Sequence, residues 1–126
     1  MYSKILEDKL KALKIEDFIW FIYIGIIFLS FYSNNLERKY YINSDNKAKD
    51  EYRKIIILIF TILIFVYGYF LKSSFSDLKN IDKYEPEKQH LFIGAFIASL
   101  LIFIAGILFL IIAILDEDLD VELAFN

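Results

Sequence analysis

"HLFIGAFIASLLIFIAGILFLIIAIL" (residues 90–115) runs without a single Lys, Arg, Asp or Glu. From Leu91 to Leu115 a helix would be about 37 Å long at ~1.5 Å per residue, more than a hydrocarbon core of roughly 30 Å. Such a helix should tilt or protrude. Two further runs lack the same charges: "FIWFIYIGIIFLSFYSNNL" (18–36) and "IIILIFTILIFVYGYFL" (55–71). They are nearer the short end of the spanning range, where tyrosines and flanking lysines reach the interface.

The 126 residues are 58% hydrophobic with a mean hydropathy of +0.49, and the three runs hold most of that character. A soluble chain of this length has too little amphipathic sequence to cover three such segments. The reading is therefore an all-α integral membrane protein with three transmembrane helices, the first two forming an extended helical hairpin. Its parts are an amphipathic N-terminal segment (1–17), span 1 (18–36), a basic connecting hairpin (37–54), span 2 (55–71), a connecting loop (72–89), span 3 (90–115) and an acidic tail (116–126).

The segment before the first run mixes four lysines with four acids, and no small-x-small cleavage site follows that run. It is expected to be retained rather than removed as a signal peptide. Ser3 is a suitable helix cap. Tyr2, Ile5, Leu6, Leu10 and Leu13 then fall within an arc of about 140°, with Lys9 inside it, the pattern of a helix in the membrane interface or the solvated start of span 1.

Asn43, Ser44 and Asp45 are the clearest turn-and-cap cluster between the first two runs, so both helices should extend beyond the membrane before the chain reverses. Glu85-Pro86-Glu87 suits the start of the third helix, because proline is tolerated at the first position and acids there face the positive end of the dipole. Three spans put the N-terminal segment and the 72–89 loop on one side, with eight Lys and Arg. The other side carries six, all in residues 33–54. The count favours a cytoplasmic N-terminus and an outside C-terminus.

All the small residues of the third run share one face. Gly94, Ala95, Ala98, Ser99, Ala105 and Gly106 lie within about 140° of one another, joined by Ala113. Lipid tails are as apolar as leucine, so close backbone approach, rather than area, draws helices together there. This face is expected to be a helix-packing seam, either against the chain's own spans or against a second copy. The aromatics Trp20, Tyr23, Tyr32, Tyr52, Tyr67 and Tyr69 stand where rings sit near headgroups.

The tail "DEDLDVE" (116–122) places acids at alternate positions, as at the opening of an EF-hand loop. Val121 occupies the position where that loop needs glycine, and no closing glutamate follows at the required spacing. Its acids instead follow a helix C-terminus whose dipole they oppose. The expectation is an electrostatic contact of Asp116, Glu117, Asp118 and Asp120 with the basic hairpin, through Arg38, Lys39, Arg53 and Lys54, each exposed pair adding at most about 1 kcal/mol.

Ingredients for catalysis are thin. His90, the sole histidine, sits at the mouth of span 3, there is no cysteine, and there is no phosphate-binding glycine loop. A pump would require a charged side chain within the membrane and the runs contain no Lys, Arg, Asp or Glu, so a pore would need several copies lined by Ser30, Ser33, Thr61 or Ser99. A net charge of −3 argues against a nucleic-acid partner. The composition is one that an AT-rich bacterial genome encodes.

The expected function is that of a small non-catalytic membrane protein without cofactor or metal. Its partners are the lipid bilayer and a second copy or another membrane protein. A pore, holin-like proteins included, and an immunity or regulatory protein bound to another membrane protein are the alternatives.

Overall fold

A computed structural model describes residues 2–121, without the side chains of Tyr2 and Ile5. The full N-terminal arc and tail residues 122–126 therefore lie outside the described residues. The chain forms three long helices: α1 (Tyr2–Asn43), α2 (Asn46–Lys79) and α3 (Pro86–Leu115), with a short 3₁₀ turn at Ile81–Lys83. No strand occurs among the described residues. By length and apolarity, α2 and α3 are each able to cross a membrane. α1 carries its apolar run between two charged ends, Lys4–Asp17 and Glu37–Lys39.

α1 is one continuous helix of 42 residues, so the changes of polarity at residues 17 and 37 do not interrupt it. Side-chain solvation changes there, but each backbone N–H still finds the carbonyl four residues back. Ser3 lies inside α1 rather than at its cap. The reversal uses Ser44, in the left-handed region at φ 51°, and Asp45 in an extended conformation. The Asp45 carboxylate accepts from Lys47 N at 3.1 Å and Ala48 N at 3.3 Å, satisfying two donors that the first turn of α2 leaves open.

α2 ends at Asn80, whose side-chain amide donates to Ser76 O and whose backbone N–H donates to Asp77 O, both at 3.2 Å. Glu85 is extended at φ −63°, ψ 150°, as the residue before a proline prefers, and Pro86 opens α3.

α2 is the central helix: α1 and α3 each pack on it, and among the described residues their backbones do not approach each other closely. Its buried face runs Ala48, Tyr52, Ile56, Ile59, Phe60, Leu63 and Val66, mostly in steps of three and four. α1 answers with Ile19, Ile26, Ser33 and Leu36, and α3 with Gly106 and Ala113. Steps of seven within α1 (19, 26, 33) and α3 (99, 106, 113) keep one stripe against α2, the geometry of left-handed, near-antiparallel packing. Phe60 stacks on Phe109 with centroids 5.6 Å apart, and Ser74 and Ser99 share a hydrogen bond of 3.1 Å between α2 and α3.

Candidate functional site

The polar face of the molecule lies where the α1–α2 reversal meets the end of α3. Asp45 caps the first turn of α2, from which Lys49 and Arg53, one turn apart, reach the end of α3 and the tail. Arg53 donates through Nη2 to Ile114 O at 2.9 Å, supplying a cation and a donor to the open carbonyls of a helix C-terminus. Lys49 makes an ion pair of 3.5 Å with Asp118, and its ammonium stands 5.4 Å from the centre of the Tyr40 ring.

After Leu115 the tail folds back on itself. The Asp116 carboxylate accepts from Asp120 N at 3.1 Å and from Val121 N at 2.7 Å. Leu119, at φ 59°, packs onto the buried cluster of α1, α2 and α3. The tail thereby roofs a cavity of about 210 Å³ lined by Glu37 and Tyr41 of α1, Tyr52, Arg53 and Ile56 of α2, Ala113 of α3, and Asp116, Leu119, Asp120 and Val121.

Tyr52 is 2% exposed, and the buried Nε of Arg53 closes no hydrogen bond. The Glu37 carboxylate stands beside the Tyr52 hydroxyl as its acceptor. Burial, reinforced by that carboxylate, pushes the Tyr52 phenol well above its ordinary pKa, so it is a neutral donor at physiological pH. Tyr41 is also shifted upward, by desolvation first and then by Glu37. The cavity wall thus brings Tyr52 and Arg53 of α2 together with the carboxylate-bearing Glu37, Asp116 and Asp120.

The expected tail contacts are distributed differently from the sequence reading. Arg53 reaches the end of α3, but it bonds a backbone carbonyl. The one ion pair among the described residues joins Lys49 to Asp118, while Arg38, Lys39 and Lys54 are not paired with Asp116, Glu117 or Asp120. Lys49 is one of the six cations of the basic hairpin on which the tail is expected to dock, though not one of the four expected to meet it, and Glu37 and Tyr52 carry no signal for this site in the sequence. The four-residue spacing of Lys49 and Arg53 on the first turns of α2 is the signal that identifies the tail-facing side, and it separates them from Arg38 and Lys39 on α1.

The expected seam divides in two. Gly106 is buried, and a Cβ added there would stand 3.1 Å from Tyr67 Cδ2 and 3.6 Å from Ile64 Cγ1. Ser99 bonds Ser74. Gly94, Ala95, Ala98 and Ala105 are instead exposed, and a Cβ on Gly94 meets nothing within 4 Å. Within the chain, therefore, one edge of the small-residue stripe packs on α2 and the rest is open.

The candidate pore hydroxyls are occupied locally. Ser33 Oγ donates to Ser30 O at 2.8 Å and Thr61 Oγ1 to Ile57 O at 2.7 Å. Among the described residues no three carboxylate or imidazole groups converge closely enough to hold a metal ion. Comparison with known proteins returns no family model, curated protein or solved structure that matches the chain.

Proposed function

We propose that the chain is a three-span integral membrane protein without catalytic activity that works by assembling with other transmembrane helices, a second copy of itself first among them. The reading of α1 as a span is supported by register. Residue 18 lies 26 positions before Ser44 (44 − 18) and residue 71 lies 26 positions after Asp45 (71 − 45), so the charge-free runs of the first two helices end level with each other across the hairpin. Two charge-free runs side by side define one apolar slab of about 25–28 Å at ~1.5 Å per residue, close to a hydrocarbon core.

The observation that carries assembly is the overhang of α3. Phe96 packs beside Phe75 and Ser99 bonds Ser74, so the apolar stretch from Leu91 to Leu100 lies beside the polar end of α2, beyond the level of Leu71. About ten residues of apolar helix, roughly 15 Å, therefore project past the slab that α1 and α2 share. Leu91 is 72% exposed and Ile97 50%, and Gly94 and Ala98 are open on the same stretch. An apolar patch beyond the acyl chains is unfavourable in water and calls for protein cover. Gly94 and Ala98 allow the close helix approach that such cover needs.

The test joins topology to assembly. Cysteines at Ser44 and Ser76 should be labelled from opposite sides of sealed vesicles; labelling of both from one side would sink the three-span reading. Ala98→Leu with Ala105→Leu should reduce the particle to a monomer in detergent with helix content intact. An unchanged particle size would sink assembly through this face.

A further inference from the structure

We propose that the groove between α2 and α3 at the edge of the slab holds an anionic phospholipid of the phosphatidylglycerol type, one acyl chain along Leu100 and Phe103 and the phosphate on Lys72 and Lys79. Its place at headgroup depth rests on the membrane reading above.

The groove has a volume of about 380 Å³ and follows α2 from Gly68 to Phe75, roughly 10 Å at ~1.5 Å per residue. Phe96, Leu100 and Phe103 of α3 form its other wall. Gly68 keeps the inner end open, because α2 presents backbone there, opposite a Phe103 ring 3.4 Å from where a Cβ would stand.

Charge is confined to the outer end. Lys72, the first charged residue after the run that ends at Leu71, is the one charged side chain among those lining the groove. The Lys79 ammonium stands 4.8 Å from the centre of the Phe75 ring, which is 48% exposed and lies 6.0 Å from the Phe96 ring. Neither ammonium closes an ion pair or hydrogen bond with another described residue. Two ammoniums on an apolar groove that no carboxylate lines attract a ligand anionic at one end and hydrocarbon at the other. A zwitterionic headgroup brings its own ammonium toward the same two cations and loses the net attraction. Phosphatidylglycerol brings none.

Depth agrees with charge. Gly68 lies inside the charge-free run of α2 and Phe75 about 6 Å beyond its end, so a phosphate held at Lys72 leaves its acyl chain directed into the slab. The groove also leaves the assembly face free. Counting 100° per residue from Gly94, Phe96, Leu100 and Phe103 fall at about 180–240°, and Gly94, Ala98 and Ala105 at about 0–40°. Lipid and partner helix thus occupy opposite flanks of α3.

The purified full chain in detergent, offered equal amounts of phosphatidylglycerol, phosphatidylethanolamine and phosphatidylcholine with the same acyl chains, is tested by native mass spectrometry. It should retain the first at least about fivefold over the others, the effect of one lysine at a membrane surface. Lys72→Gln with Lys79→Gln should abolish the preference. Lys47→Gln with Lys54→Gln removes the same charge at the hairpin end and should leave it intact. Phosphatidylglycerol with a photoreactive diazirine on its acyl chain should crosslink to Phe96, Leu100 or Phe103 more than to any residue of α1. Equal retention of the three lipids would overturn the proposal, as would an equal loss in the two lysine pairs or crosslinks spread evenly over the helices. The readings above fail separately: the three-span topology in vesicle labelling, and the seam in the particle size of the Ala98→Leu, Ala105→Leu protein, whose lipid preference should be unchanged.

Discussion

Gly106 and Gly94 lie twelve residues apart on α3 and in different halves of the molecule. At Gly106 the Tyr67 ring presses close enough that an added methyl would meet it at 3.1 Å, whereas at Gly94 the space is empty. The same division runs through the other helices. Toward the hairpin, Leu36, Ala48, Tyr52, Ile56 and Ala113 close on one another; toward the other end, Leu6, Leu10 and Leu13 of α1 and Leu91 and Ile93 of α3 are exposed. A helical hairpin with a third helix against it thus buries these side chains near the reversal and leaves apolar ones exposed at its far end.

The largest effect expected from breaking this contrast is at Tyr52. Tyr52→Ala opens a cavity among Ala48, Ile56 and the helices on either side, costing about 3–5 kcal/mol by analogy with large-to-small core changes. Leu13→Ala, at a residue 53% exposed, should change stability by no more than about 0.5 kcal/mol. Thermal unfolding followed by circular dichroism in detergent compares the two directly, and equal losses would erase the distinction between the halves.

The glycines sharpen it on one helix. Gly106→Leu drives a side chain into Tyr67 and Ile64 and should cost about 1–3 kcal/mol as overpacking, while Gly94→Leu leaves the folded chain's stability unaltered. Asp45→Ala comes next: removing the acceptor for Lys47 N and Ala48 N should cost about 1 kcal/mol. That loss should appear first as faster amide exchange in the opening turn of α2, with amides toward Lys79 unaffected.

What could be read from residues alone follows the range of the forces involved. The apolar runs, the Asp45 cap and the Pro86 start are local matters of solvation and backbone valence, and each is visible in a few neighbouring residues. Whether residues 2–17 lie apart in the interface or run straight into span 1 stays open in the sequence, because polarity marks where solvent changes and not where a helix ends. Tyr52 read as an interfacial ring because its burial depends on Leu36 and Ala113, distant in sequence and brought together by packing. The stripe on α3 was visible as a face, but nothing local says that Ser99 and Gly106 meet α2 while Gly94 and Ala98 do not.

The smallest expected effect is at the tail, where the closed half meets water. Lys49 keeps 18% of its side chain exposed and Asp118 keeps 80%, and their 3.5 Å pair is therefore well screened on one side. A double-mutant cycle of Lys49→Met and Asp118→Asn should give a coupling below about 1 kcal/mol that fades as salt rises. Arg53→Met is different in kind, because the bond it removes caps the carbonyls at the end of α3 and holds the tail's root. If Leu119 and the Asp116 turn anchor the tail independently, proteolysis beyond Asp116 should quicken more in Leu119→Ala than in Lys49→Met. The reverse order would mean that charge, rather than the Leu119 side chain, closes this end of the molecule.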